Sequence, residues 1–229
     1  QRAVTKDDYI VRVYALPPKY GNIAKAYVVQ DSQLDSKSGA NSDARVANPL
    51  ALNMYLLGFD SSKKLVAVNQ AVKENVQTYL TQFRMVTDAV NIKNAFVINI
   101  GVKFNILTKV GYNAEEVVLL AIQRVKDYFN IDKWQIGQPI VLADLAYQLS
   151  LVNGVSSVVP PEEDNPNGHP VLITNKFKIS GGYSGNAYDM VGATKDGIVY
   201  PSLDPSCFEL KFPNTDIEGR VIGSTSGGN

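Results

Sequence analysis

The sequence predicts an α+β protein: a mixed, mainly antiparallel sheet covered by helices, followed by a β-rich, loop-heavy C-terminal region. Three observations carry this. From Phe96 to Ile106 every even position is apolar (Phe96, Ile98, Ile100, Val102, Phe104, Ile106), while Asn99, Gly101, Lys103 and Asn105 hold odd positions. That period of two, with one polar face, belongs to a sheet covered on one side, which favours antiparallel pairing. Two long segments carry apolar residues at spacings of three and four. After Pro160 the helical period disappears and glycines and prolines punctuate short apolar stretches.

The elements follow in order. Thr5 stands where an N-cap belongs and Asp8, three residues on, completes a capping box; Tyr9, Ile10, Val13 and Leu16 recur at helical spacing until Pro17-Pro18. Asn22 to Val29 reads as a strand, and Asp31 to Asn48, rich in Ser, Asp, Asn and Gly, as a long exposed loop. Leu50, Leu52, Met54 and Leu56 alternate in a second strand. A helix capped at Ser61 or Ser62 then carries Leu65, Val68, Val72, Val76, Tyr79 and Phe83 toward the core. Its repeat fits 3.6 residues better than a heptad, which would place Asn75 and Gln82 in the seam.

Beyond the strand over 95–108, Asn113 with Glu116 opens a helix running to about Phe129, with Val117, Leu120, Ala121, Val125 and Tyr128 inward. A short extended piece at Pro139 to Val141 leads to a helix from about Ala143 to Val152, ended by Asn153-Gly154. Val155 to Val159 is a strand. The turn-rich segment from Pro161 to Pro170 separates an α+β core over 1–160 from a β-rich region over 161–229. That region holds apolar stretches at Val171 to Ile179, Ile198 to Tyr200 and Cys207 to Phe212.

Composition excludes several classes. At 45% hydrophobic and 19% charged, the 229 residues are globular rather than disordered. Twenty-two basic and twenty-two acidic residues cancel, so no global field attracts nucleic acid or anionic lipid, and nothing opposes self-association. No run approaches the ~18 apolar residues of a membrane span. The lone cysteine can form no internal disulfide and the Asn-x-Ser/Thr pattern is absent, which leads to the expectation of folding in cytosol. The start at Gln1 without a signal-like segment leads to that of a piece cut from a longer protein.

The lone His169 lies in a Gly/Pro loop, and neither it nor the lone Cys207 has a partner at zinc-ligand spacing. The run Gly182-Tyr183-Ser184-Gly185-Asn186 departs from a nucleophile elbow at Asn186 and reads as a turn. Glu162, Glu163 and Asp164 lack the spacing of a calcium loop, and Lys63-Lys64 is an ordinary helix-surface pair. There is no Walker loop or dinucleotide fingerprint. The expectation is no enzyme, no cofactor and no metal. Twelve tyrosines are many for this length, and Tyr183, Tyr188 and Tyr200 in the loop-rich region are the candidate interface residues. Tyrosines capping a small β core are an equal reading of the same residues.

The opening Arg2-Ala3-Val4-Thr5, followed by Asp8-Tyr9, resembles the entry motif of the baseplate J-like family of contractile phage tails. The resemblance continues through the long helix to Arg84 and Thr87-Asp88, the strand from Ala95, the second helix and the Gly154-Val155 step, over about residues 1–160. It implies a structural baseplate wedge component in the virion tail, assembled in the host cytoplasm. Such a subunit dimerises, joins other wedge proteins and the hub in a ring of six-fold character, and rearranges on sheath contraction and genome ejection. It implies no catalytic residues. The chain departs from simpler members in its loop at 31–49 and its tail after Pro160. Two further classes stay open: a receptor- or glycan-binding module using the tyrosine-rich tail, and a cell-wall-degrading tail enzyme with paired carboxylates.

Overall fold

The computed structural model describes residues 2–30, 51–84, 89–162, 165 and 167–224. The loop expected over 31–48, Leu50, Thr87-Asp88, Glu163 and Asp164 lie outside the described residues. The architecture is α+β, as the sequence predicts, and the chain divides into two compact units: residues 1–97 with 202–206, and residues 98–201 with 207–229.

The first unit is built on helix α1 (Lys6–Tyr14), strands β1 (Ile23–Gln30), β2 (Ala51–Phe59) and β3 (Leu65–Val66), helix α2 (Gln70–Thr81) and strand β4 (Ala89–Asn94). Its capping box is formed: the Asp8 N–H donates to Thr5 Oγ1 (3.2 Å), and the N–H of Thr5 donates back to Asp8 Oδ2 (2.8 Å). β2 is flanked by β1 antiparallel and β4 parallel. Tyr9 and Val13 of α1 and Val76 and Leu80 of α2 join Val28, Met54 and Leu56 in one core. β2 does not alternate in burial. Tyr55 and Leu57 are buried along with Met54 and Leu56, as expected of a nearly continuous apolar run covered on both faces.

The long helix starts later than its spacing predicts. Asp60 Oδ1 accepts from the N–H of Ser62 (2.7 Å) and Lys64 (2.9 Å), and Lys63 adopts a left-handed conformation (φ 56°). This turn returns the chain as β3, so Leu65 belongs to a strand and neither Ser61 nor Ser62 is a cap. Asn69 is the N-cap, accepting from the Val72 N–H.

In the second unit β5 (Phe96–Thr108) is the central strand. Helices α3 (Ala114–Tyr128) and α4 (Leu142–Ser150) pack together beside it. β7 (Val155–Val159) and β8 (Leu172–Asn175) pair with β5 antiparallel, and β12 (Ile217–Ser224) pairs with it parallel. β11 (Ser206–Glu209) completes this sheet. β6 (Ile140–Val141), β9 (Thr194–Lys195) and β10 (Ile198–Val199) form a small separate one. α5 (Met190–Ala193) and α6 (Pro213–Asp216) are single turns. Thus β8 and β12, both beyond residue 160, complete the sheet begun at β5. Gly154 ends the connection after α4 at φ 89°, where a Cβ would strike Val117 and Tyr112.

Burial along β5 departs from strict alternation. Ile98, Ile100, Val102, Phe104 and Ile106 are buried, but Phe96, at the start of the strand, is 48% exposed, and Asn99 is fully buried. On α3, Val117, Ala121 and Val125 form the buried stripe, while Leu120, expected inward, lies off that stripe and is 46% exposed.

Candidate assembly surface

The odd-numbered face of β5 has two fates. At its start it is covered by the segment that follows β8. Asn99 Oδ1 accepts from the Ser184 N–H (2.8 Å), and its Nδ2 donates to Glu209 Oε2 (2.8 Å). The Asn99 carbonyl accepts from the Lys176 N–H (2.9 Å) and from Asn175 Nδ2 (3.1 Å). Asn175 Oδ1 in turn accepts from the Tyr188 N–H (2.8 Å). Two asparagines therefore clip the 176–188 loop onto the sheet, satisfying backbone groups that a covered loop would otherwise bury unpaired. Gly101 lies close beneath this segment: a Cβ there would lie 2.8 Å from Thr174 Oγ1 and 3.2 Å from the Asp216 carbonyl, besides meeting the flexible end of Lys176.

Farther along, the same face opens into a groove of about 310 Å³ lined by Lys103, Asn105, Val159, Pro160, Glu218 and Arg220. Glu218 holds Lys103 at 3.3 Å and Lys176 at 4.0 Å across it, in partly exposed pairs that contribute little to stability. Glu162 and Pro161 complete its rim.

The three tyrosines proposed from sequence occupy different situations. The Tyr183 hydroxyl donates to Asp216 Oδ1 and its ring meets Phe212 edge-on, at a centroid separation of 5.3 Å. Burial first, and then the Asp216 carboxylate, push this phenol up to about 12. The Tyr188 hydroxyl donates to the Tyr200 carbonyl (2.7 Å), and burial and then Asp189 raise its phenol. Tyr183 and Tyr188 thus commit their hydroxyls inside the unit, whereas Tyr200 is 46% exposed. The structure does not gather the three into one patch by any contact among their rings.

His169, Cys207 and the 182–186 run each have their own local setting. His169 is stapled by Asn165, whose Oδ1 accepts from the His169 N–H (3.0 Å) and whose Nδ2 donates to the carbonyls of His169 (2.8 Å) and Pro161 (2.9 Å). Cys207 is fully buried, with its Sγ 3.7 Å from the Gln135 carbonyl. The 182–186 run is a turn with Gly182 and Gly185 left-handed, at φ 82° and 83°. Among the described residues no group of three or more His, Cys, Asp and Glu side chains is placed to hold a metal ion. No helix among them is long and apolar enough to cross a membrane.

Sequence reasoning passed over Asn99, Asn175 and all of β12. The available signal was the asparagine at position 99 in the most apolar strand of the chain, which parity alone assigned to solvent.

No protein-family model matches the chain, and no curated protein matches it. Among solved structures, it is similar to a chain of the cryo-EM structure of the anti-feeding prophage (AFP) baseplate, six-fold symmetrised. The similarity has a TM-score of 0.54 at 13% identity and covers 91% of this chain. This chain spans 38% of the length of that neighbour.

Proposed function

We propose that the chain is part of a structural subunit of a contractile-tail baseplate: a wedge component that self-associates, joins other wedge proteins and the hub in a ring, and rearranges when the sheath contracts. Membership in the baseplate J-like family, location in the virion tail and the absence of a catalytic role belong to the same proposal. The observation that carries it is the shared fold with a protein of the AFP baseplate over 91% of this chain. The opening Arg2-Ala3-Val4-Thr5 with Asp8-Tyr9, now seen as a formed capping box, supports the same reading. Ring subunits present different surfaces to different neighbours. The groove beside β12 and the exposed Tyr200 are surfaces available for that purpose.

Cryo-electron microscopy of the intact tail tests the proposal. Density for both units is expected in a ring around the hub, in every wedge. Density confined to fibre tips, or absence of the chain from the baseplate, rejects it.

A further inference from the structure

We propose that the outer edge of β12 is self-complementary, and that a second copy of this chain pairs with it antiparallel about Gly219. This inference supplies the surface for the self-association included in the reading above. β12 uses one edge to pair with β5, and among the described residues no strand pairs with its other edge. Helix α3 packs against β12 and Ile217 is buried, so one face of the strand is covered while its outer edge carries no partner strand among the described residues. At β1, also a sheet edge, the Ala26 N–H donates to the Tyr14 hydroxyl (3.1 Å). The unpaired edge of an eight-residue strand is a template for another strand unless it is covered, kinked or protected by repelling charge.

The charges of β12 attract rather than repel a second copy. Glu218 and Arg220 lie two residues apart and line the same groove, so they share one face of the strand. When two identical strands pair antiparallel about Gly219, Glu218 of each copy stands directly opposite Arg220 of the other. Ile217 then stands opposite Val221 on the second face, twice. Centring on Arg220 or on Glu218 instead places like charges opposite each other, which is unfavourable. Charge therefore selects the register. Arg220 is exposed and makes no ion pair among the described residues, so it is available to a carboxylate from outside. The register shift between Val221 and Gly223 ends the regular stretch just past the last matched pair. The two-fold axis stands normal to the sheet at Gly219, and the net charge of zero offers no opposing repulsion.

Sedimentation equilibrium of the full chain tests the edge, with circular dichroism verifying that each variant is folded. Wild type is expected to dimerise, and Glu218→Arg and Arg220→Glu are each expected to weaken the dimer by about tenfold or more. An equimolar mixture of the two variants restores association, because one carries cations and the other carboxylates at both positions. The double reversal restores it as well. A wild-type dimer unaffected by either substitution, or folded variants whose mixture fails to associate, overturns the β12 edge while leaving self-association through another surface intact. A wild-type chain that stays monomeric at every concentration overturns both the edge and the self-association in the proposed function.

Discussion

Replacing Asn99 by alanine tests the claim that the 176–188 loop is held onto the sheet by a buried amide. The side chain is fully buried and makes two side-chain bonds, one from Nδ2 to the Glu209 carboxylate and one accepted from the Ser184 N–H. Each such bond contributes about 0.5–1.5 kcal/mol, and a buried group left without its partner costs about 1–3 kcal/mol. The expected loss is about 3 kcal/mol, which lowers Tm by roughly 10 °C for a chain of this size. Asn105→Ala is the control. It lies on the same face of the same strand but lines the open groove, so its expected change is within about 0.5 kcal/mol. Urea unfolding gives both values, and limited proteolysis should show faster cleavage within 176–188 for Asn99→Ala only. Equal stabilities for the two variants would refute the reasoning, since the loop would then be held by other contacts.

The remaining expectations concern the cap, the sheet and the chemistry. The backbone N–H groups of Thr5 and Val4, and then the Thr5 hydroxyl, hold the Asp8 carboxyl below its ordinary 3.8, so its support of α1 is present above that value and lost as pH falls through the folded one. The stability difference between wild type and Asp8→Asn should therefore shrink on acidification below pH 3.8, and a constant difference would contradict the cap. Truncation after Val159 removes β8 and β12, the partners of Ile100 to Thr108, and should abolish cooperative unfolding of the second unit; a native-like melt of the truncated chain would show that β5 does not need them. Under the proposed function, His169→Ala and Cys207→Ser should leave assembly close to wild type, and stoichiometric metal in the purified chain, or lost assembly in a folded variant, would contradict that.

The chain by itself determined the elements whose forces are local. The first helix was legible because Thr5 and Asp8 satisfy one another's backbone groups within a single turn. The third was legible because Asn113 caps a stripe of Val117, Ala121 and Val125 at intervals of four. The alternation from Ile98 to Ile106 announced the central strand. Tertiary structure decided what lies against those elements. Asn99 and Asn105 have the same parity and the same side chain, yet one is sealed beneath a loop from 85 residues away and the other faces water. Local pattern specifies which face a residue takes; only long-range packing specifies what covers that face. The start of α2 was misplaced because the Asp60 turn competes with helix at the same residues and won by pairing β3 with β2. The ring chemistry of Tyr183 and Tyr188 suits an interface and a small β core equally, and nothing nearby in sequence announced that Asp216 and the Tyr200 carbonyl would take their hydroxyls. β12 escaped notice for a related reason: its glycines break the apolar pattern, and it is a strand because β5 lies beside it, 115 residues earlier at Thr108 and Gly223.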